Sequence, residues 1–182
     1  MDATVGPVLL RQFDMAWALL SLHLEHLDDA ECLWRPASRG LHVHQAADGP
    51  WQADWPEHEG YSLGPPSIAW LTWHIHFWWS MAYDWHFGAG TMGRQDVTWP
   101  GSAERVRETL AAHHRRWRER LDPTGATGAP VPPEARWPFH DRPFEDVVAW
   151  LNLELMKNAA EIGITRFLYA VRLPQPIYKE PE

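Results

Sequence analysis

SIAWLTWHIHFWWSMAYDWHFG, residues 67–88, is the most informative stretch of the chain. It holds five of the thirteen tryptophans and three of the eleven histidines. Pro65 and Pro66 precede it, Ser67 suits an N-cap, and Gly88 suits a stop, so the stretch reads as one helix. At about 100° per residue, Trp70, His74, Phe77, Trp78 and Met81 line one side of that helix. His74 is the one imidazole in this apolar and aromatic stripe. His76 lies about 200° away around the axis and points elsewhere.

Working outward, three further helices share this character. Residues 4–29 repeat Val8, Leu9, Phe13, Ala16, Trp17, Leu20, Leu24 and Leu27 at helical spacing, with His23 and His26 near the end. Ser102 caps a helix over 102–121, whose inner stripe is Val106, Leu110, His113, Trp117 and Leu121. There His114 and the arginines face out, as the solvated side of a helix. Pro143 opens the last helix, from Phe144 to about Val171. Between them, 28–66 carries no helical pattern, but Trp34, Trp51, Trp55 and Tyr61 predict a packed loop. His42 and His44 alternate within it, as loop histidines that would share one side of an extended strand. Residues 122–141 are rich in Pro, Gly and Ala and read as loop, with Trp137-Pro138-Phe139 tucked against the helices. With no sustained strand-like alternation, the fold class is all-α, a four-helix bundle. It forms a single domain over 1–173, and 174–182 form a mobile tail.

Composition bounds the function. The chain has 182 residues, 45% of them hydrophobic, enough for one core. A formal net charge of −8 argues against binding a nucleic-acid backbone. Cys32 is the only cysteine, so an intrachain disulfide and a Cys-based zinc site are excluded. As a lone cysteine it reads as a small buried hydrophobe rather than a reactive thiol. No signal peptide is evident, and Thr72, His74, His76, Ser80 and Asp84 argue against a membrane span, which predicts a cytoplasmic protein. Phosphate-loop, dinucleotide and nucleophile-elbow motifs are missing.

The chemistry concentrates on the last helix. Glu154, Asn158 and Glu161 follow at i, i+4 and i+7, and Asn158 falls inside the apolar arc of Phe144, Val147, Val148, Leu151, Leu155 and Ile162. Buried amides and carboxylates need partners, and His74 is the obvious one. One imidazole on one helix with an i, i+4 pair on another is ligand spacing for a metal in a bundle core. The candidate set is His74, Glu154 and Asn158, with Glu161 or His113 as substitutes. Its ion would be zinc, nickel, manganese or iron, weakly held or absent because an amide is a poor ligand. The competing reading is a buried hydrogen-bond network around His74. His76, His86, His58 and His140 form no pair at ligand spacing.

The stretches LDDAECLWRP, PPSIAWLTWHIHFWWSMAYDWHFG, VTWPGS and AWLNLELMKNAAEIGITRFLYAVR, in this order and spacing, resemble the DinB-like superfamily over most of residues 5–172. The resemblance implies an up-down-down-up bundle with long crossover loops, commonly a homodimer. It also implies a divalent metal held by three histidines and, in several relatives, thiol-dependent transferase or isomerase chemistry with a cofactor such as mycothiol. The histidine of the second helix falls on His74, which matches. The HxxxH pair falls on Glu154 and Asn158, which do not, the alignment being fixed by Ala160-Glu161. Two functions follow as expectations. One is a metal-dependent, thiol-dependent transferase-like enzyme of unknown substrate with Glu161 as base. The other is a non-enzymatic bundle that binds an apolar small molecule or a partner through a cleft of Trp70, Trp78 and Trp34, the former metal site having become a hydrogen-bond network.

Overall fold

A computed structural model describes residues 5–45, 47–58, 60–122, 132 and 134–172; the expected tail at 174–182 lies outside them. The molecule is mostly helical: α1 (Val5–Leu24), α2 (Asp29–Leu33), α3 (Ile68–Phe87), α4 (Ala103–Leu121) and α5 (Phe144–Ala170). A short antiparallel hairpin pairs β1 (Val43–Gln45) with β2 (Trp51–Ala53), His44 standing opposite Gln52. No helix among the described residues is long and apolar enough to cross a membrane.

Local chemistry sets these boundaries. Ser67 Oγ accepts the Trp70 N–H at 3.3 Å and starts α3. At its other end the Asp84 carboxylate gathers the N–H groups of Ala89, Thr91 and Met92, which hold its carboxyl below the usual range. Ser102 caps α4 in the same way through the Arg105 N–H at 3.2 Å. The first helix is shorter than the expected 4–29. His26 adopts a left-handed φ of 56°, and Asp28 then caps α2 by accepting the Glu31 N–H at 2.7 Å. The expected loop at 28–66 thus contains a helix and a hairpin. Trp34 and Trp51 pack as expected, Trp55 makes ring contacts on Trp73 and Phe77 yet is 44% exposed, and Tyr61 is fully exposed.

Helix α3 is buried almost all round, as a helix apolar on every side should be. Its indoles keep their N–H groups satisfied by bonding to loop atoms. Trp70 Nε1 donates to the Asp54 carbonyl and Trp73 Nε1 to that of Val97, each at 2.8 Å, while Trp99 Nε1 donates to Thr72 Oγ1 at 3.1 Å. These bonds lay the hairpin and the 88–102 loop onto α3. The arc foreseen on α5 (Phe144, Val147, Val148, Leu151, Leu155 and Ile162) is wholly buried.

Side-chain pairs give the helix directions. Asn152 Nδ2 donates to the Leu9 carbonyl and Arg166 Nη1 to that of His23, so α1 and α5 run parallel. The pairs His74–Asn158 and Phe87–Phe144 make α3 and α5 antiparallel. His76–His113 and Tyr83–Trp117 make α3 and α4 parallel.

Candidate functional site

The side chains of His74 and Asn158 meet between α3 and α5, with His74 Nδ1 3.3 Å from Asn158 Oδ1. Trp78, one turn after His74, donates its indole N–H to His74 Nε2 at 2.7 Å. An indole nitrogen only donates, so Nε2 carries the lone pair and Nδ1 the proton. His74 therefore donates to the Asn158 amide oxygen, and Asn158 Nδ2 donates onward to the Glu154 carbonyl at 2.8 Å. The imidazole is stacked on Trp70 at 4.7 Å and set edge-on to Trp78 at 5.5 Å. Burial first, then the Lys157 charge, push its pKa down to about 3 against the opposing bond from Asn158, so the ring is neutral.

The Glu154 carboxylate does not join this chain. Its Oε2 faces the Lys157 ammonium at 2.7 Å, close but poorly aligned for a hydrogen bond. Glu161 lies one turn beyond Lys157, and burial raises its carboxyl above the usual range while Lys157 opposes and Glu154 reinforces the shift. Ile75, Trp78, Trp79, Leu151, Leu155 and the two polar residues close the crevice around Glu154 and Asn158 too tightly to admit a water.

The donor chemistry tests whether a divalent ion suits this place. Such an ion needs an imidazole lone pair and further good donors. Here the indole occupies Nε2, Nδ1 holds a proton, the amide is neutral and an ammonium holds the carboxylate. As arranged, these residues do not suit it. Among the described residues no group of three or more His, Cys, Asp or Glu side chains could hold a metal.

The three tryptophans assigned to one cleft are divided. Trp70 and Trp78 flank His74, whereas Trp34 packs on Tyr169 at 5.6 Å, near the C-terminal end of α5. Trp78 instead joins a strip of ring contacts running Phe139, Trp150, Trp78, Trp137, Phe77 and Trp55.

A second polar cluster gives His76 a hydrogen-bond partner that the sequence spacing does not show. His76 Nδ1 lies 2.8 Å from His113 Nε2, and Ser80 Oγ sits 3.1 Å and 3.3 Å from the two nitrogens. Burial lowers His76 to about 4 and His113 to about 3. His113 faces inward as expected, and its Nδ1 is buried without a partner. The i, i+4 spacing of His76 and Ser80 was a readable signal; their partner across the α3–α4 contact was not. His114, expected outside, stacks on Trp17 at 4.4 Å and on Phe13 at 5.1 Å. His86 is structural: Nδ1 donates to the Ala82 carbonyl at 2.7 Å and Nε2 accepts the Arg136 N–H at 3.0 Å. The Cys32 thiol is buried and pushed up to about 12, so it is unreactive.

Neither curated proteins nor solved structures yield a match to this chain. A family model for the DinB superfamily matches residues 12–162, which include α3, α4, the first part of α5 and every residue of both polar clusters. The chain therefore belongs to the DinB superfamily.

Proposed function

We propose that this chain is a non-enzymatic DinB-like binding bundle in which His74, Asn158 and Glu154 form a hydrogen-bond network where relatives hold a metal. The helix directions support an up-down-down-up four-helix bundle with long crossover loops. The carrying observation is the Trp78 N–H donated to His74 Nε2 at 2.7 Å, which fixes the imidazole proton on the side facing Asn158. The network in turn orients Trp78 within its strip of aromatic rings, a surface suited to an apolar small molecule or partner. A homodimer belongs to the same proposal, because the neighbouring helices α1 and α5 expose Met15 and Leu22, and Leu153, Ile164 and Phe167.

Elemental analysis after reconstitution with excess zinc, nickel or manganese is the test. Bound metal should stay far below one equivalent. One equivalent in the wild type, lost in His74→Ala, would overturn the reading. Apolar ligands should quench tryptophan fluorescence whether or not metal is present.

One observation favours a second reading. The raised Glu161 carboxyl near Glu154 suits a proton acceptor. In that version Trp78 releases His74, and His74, Glu154 and Asn158 hold a zinc, nickel, manganese or iron ion. A thiol cofactor such as mycothiol would then rest on resemblance alone. Metal-dependent fluorescence quenching that disappears in Glu154→Ala would support it.

A further inference from the structure

An open pocket of about 550 Å³ lies beside the hairpin, and its walls include Arg35, Arg39, His42, His44 and Asp54. Its charge runs against that of the chain. The protein carries a formal net charge of −8, yet here two guanidiniums and two imidazoles surround one carboxylate. That carboxylate is already engaged. Asp54 Oδ2 accepts the His42 backbone N–H at 2.8 Å, and Oδ1 lies 3.5 Å from His44 Nδ1. Among the described residues neither Arg35 nor Arg39 has a carboxylate partner.

His42 adds an independent observation. The residue borders the pocket and is 7% exposed, and its two ring nitrogens, both shielded from solvent, have no hydrogen-bond partner. Leaving a buried donor and acceptor unmade is costly, and such a pair in a native protein calls for an explanation. Burial and the Arg35 charge hold its pKa low against the pull of Asp54, so it is a neutral ring with one donor and one acceptor to offer.

The wall is built from backbone brought close. A Cβ on Gly40 would fall 2.2 Å from the Pro65 carbonyl oxygen and 3.2 Å from His42 Nε2. Gly64, at φ +84°, brings its own backbone against the Arg39 carbonyl. The Ser67 N–H donates to the Leu41 carbonyl at 3.0 Å, which ties this wall to the start of α3.

We infer that Arg35, Arg39 and His42 form a binding site for a small oxyanion, a carboxylate or a phosphate ester. The guanidiniums supply planar paired donors, and the neutral His42 ring adds a hydrogen bond once a small shift uncovers one of its shielded nitrogens.

Isothermal titration calorimetry of the full chain with inorganic phosphate and, separately, with succinate tests this at constant ionic strength. At least one of the two should bind saturably, and Arg35→Gln/Arg39→Gln should weaken it at least tenfold while leaving the circular dichroism unchanged. His42→Phe should weaken it several-fold. Tighter phosphate binding assigns a phosphate ester, and tighter succinate binding a carboxylate. The titration should be the same with and without added zinc, which separates this site from any metal bound at His74. Failure of both anions to bind at 10 mM, a concentration on the order of ten times a weak small-ligand Kd, would overturn the inference. So would equal affinity in the double arginine variant.

Discussion

The indole N–H of Trp78 donates to Nε2 of His74 at 2.7 Å, and this one bond sets the tautomer of the imidazole. Nitrogen-15 NMR of the His74 ring should show Nδ1 protonated and Nε2 bare. Trp78→Phe keeps most of the packing but removes the donor, leaving a buried acceptor unpaired. It should destabilise the protein by about 1–3 kcal/mol in denaturant unfolding. A smaller loss together with an unchanged tautomer would mean that Asn158 alone holds the ring.

Stability should fall as the solution turns acid. In the folded protein His74 and His113 titrate near 3 and His76 near 4, whereas an unfolded histidine titrates near about 6.5. Below that value the unfolded chain takes up protons that the folded one refuses, so stability declines as pH drops from about 6.5 toward 3–4. Above pH 7 these groups contribute no slope. Each depressed imidazole adds about 1.4 kcal/mol per pH unit inside the window. His113→Gln removes one of them, and its urea-unfolding stability should have a shallower pH slope by about that amount.

The Ser80 hydroxyl sits between His76 and His113 and can donate to only one of them at a time. Ser80→Ala removes this choice while sparing the imidazole–imidazole bond. The expected loss is about 1 kcal/mol, with a coupling to His76→Ala of about 0.5–1 kcal/mol in a double-mutant cycle. Strict additivity would show that the three side chains are neighbours without a shared proton.

Arg166 donates from Nε to Glu31 Oε1 at 2.9 Å, and from Nη1 to the carbonyls of His23 and Glu25 at 2.8 and 2.9 Å. One guanidinium thereby fastens the end of α5 to α2 and to the frayed end of α1. Glu31 is buried, so Arg166→Ala would leave its charge unpaired and should cost about 3–5 kcal/mol. Arg166→Ala/Glu31→Gln should recover part of this loss, measurable as a rise in Tm over the single variant.

Much of the helical frame was legible because its signals are local. Ser67, Gly88 and Ser102 mark boundaries within one or two residues of the bonds they make or end. The apolar arc of α5 follows from periodicity alone, as does the buried position of Asn158 within it. What was not legible depends on angles between helices. A helical wheel gives the direction of His76 but not the neighbour that α4 places there. It shows Lys157 beside Glu154 at i, i+3, but not that the carboxylate turns to Lys157 rather than to His74. The three-residue strands were too short to leave an alternation, and the left-handed turn at His26 carries no Gly or Asn to announce it. The separation of Trp34 from Trp70 and Trp78 likewise depends on where the 28–66 segment is laid.

Gly163 of α5 packs against the ring of His23 on α1. A Cβ there would fall 2.7 Å from His23 Nε2, so the imidazole fills the space a side chain at 163 would take. The contact between α1 and α5 is the most extensive between any two elements, and its bonds join residues 143 positions apart. During synthesis, Phe13 and Trp17 of α1 can meet Trp79 and His114 once α3 and α4 are made, but the part of α1 that packs on α5 must wait until almost the whole of α5 has emerged. Long-range closure of this kind slows folding and lengthens exposure to aggregation, so the order in which the chain is made becomes part of what the fold must survive.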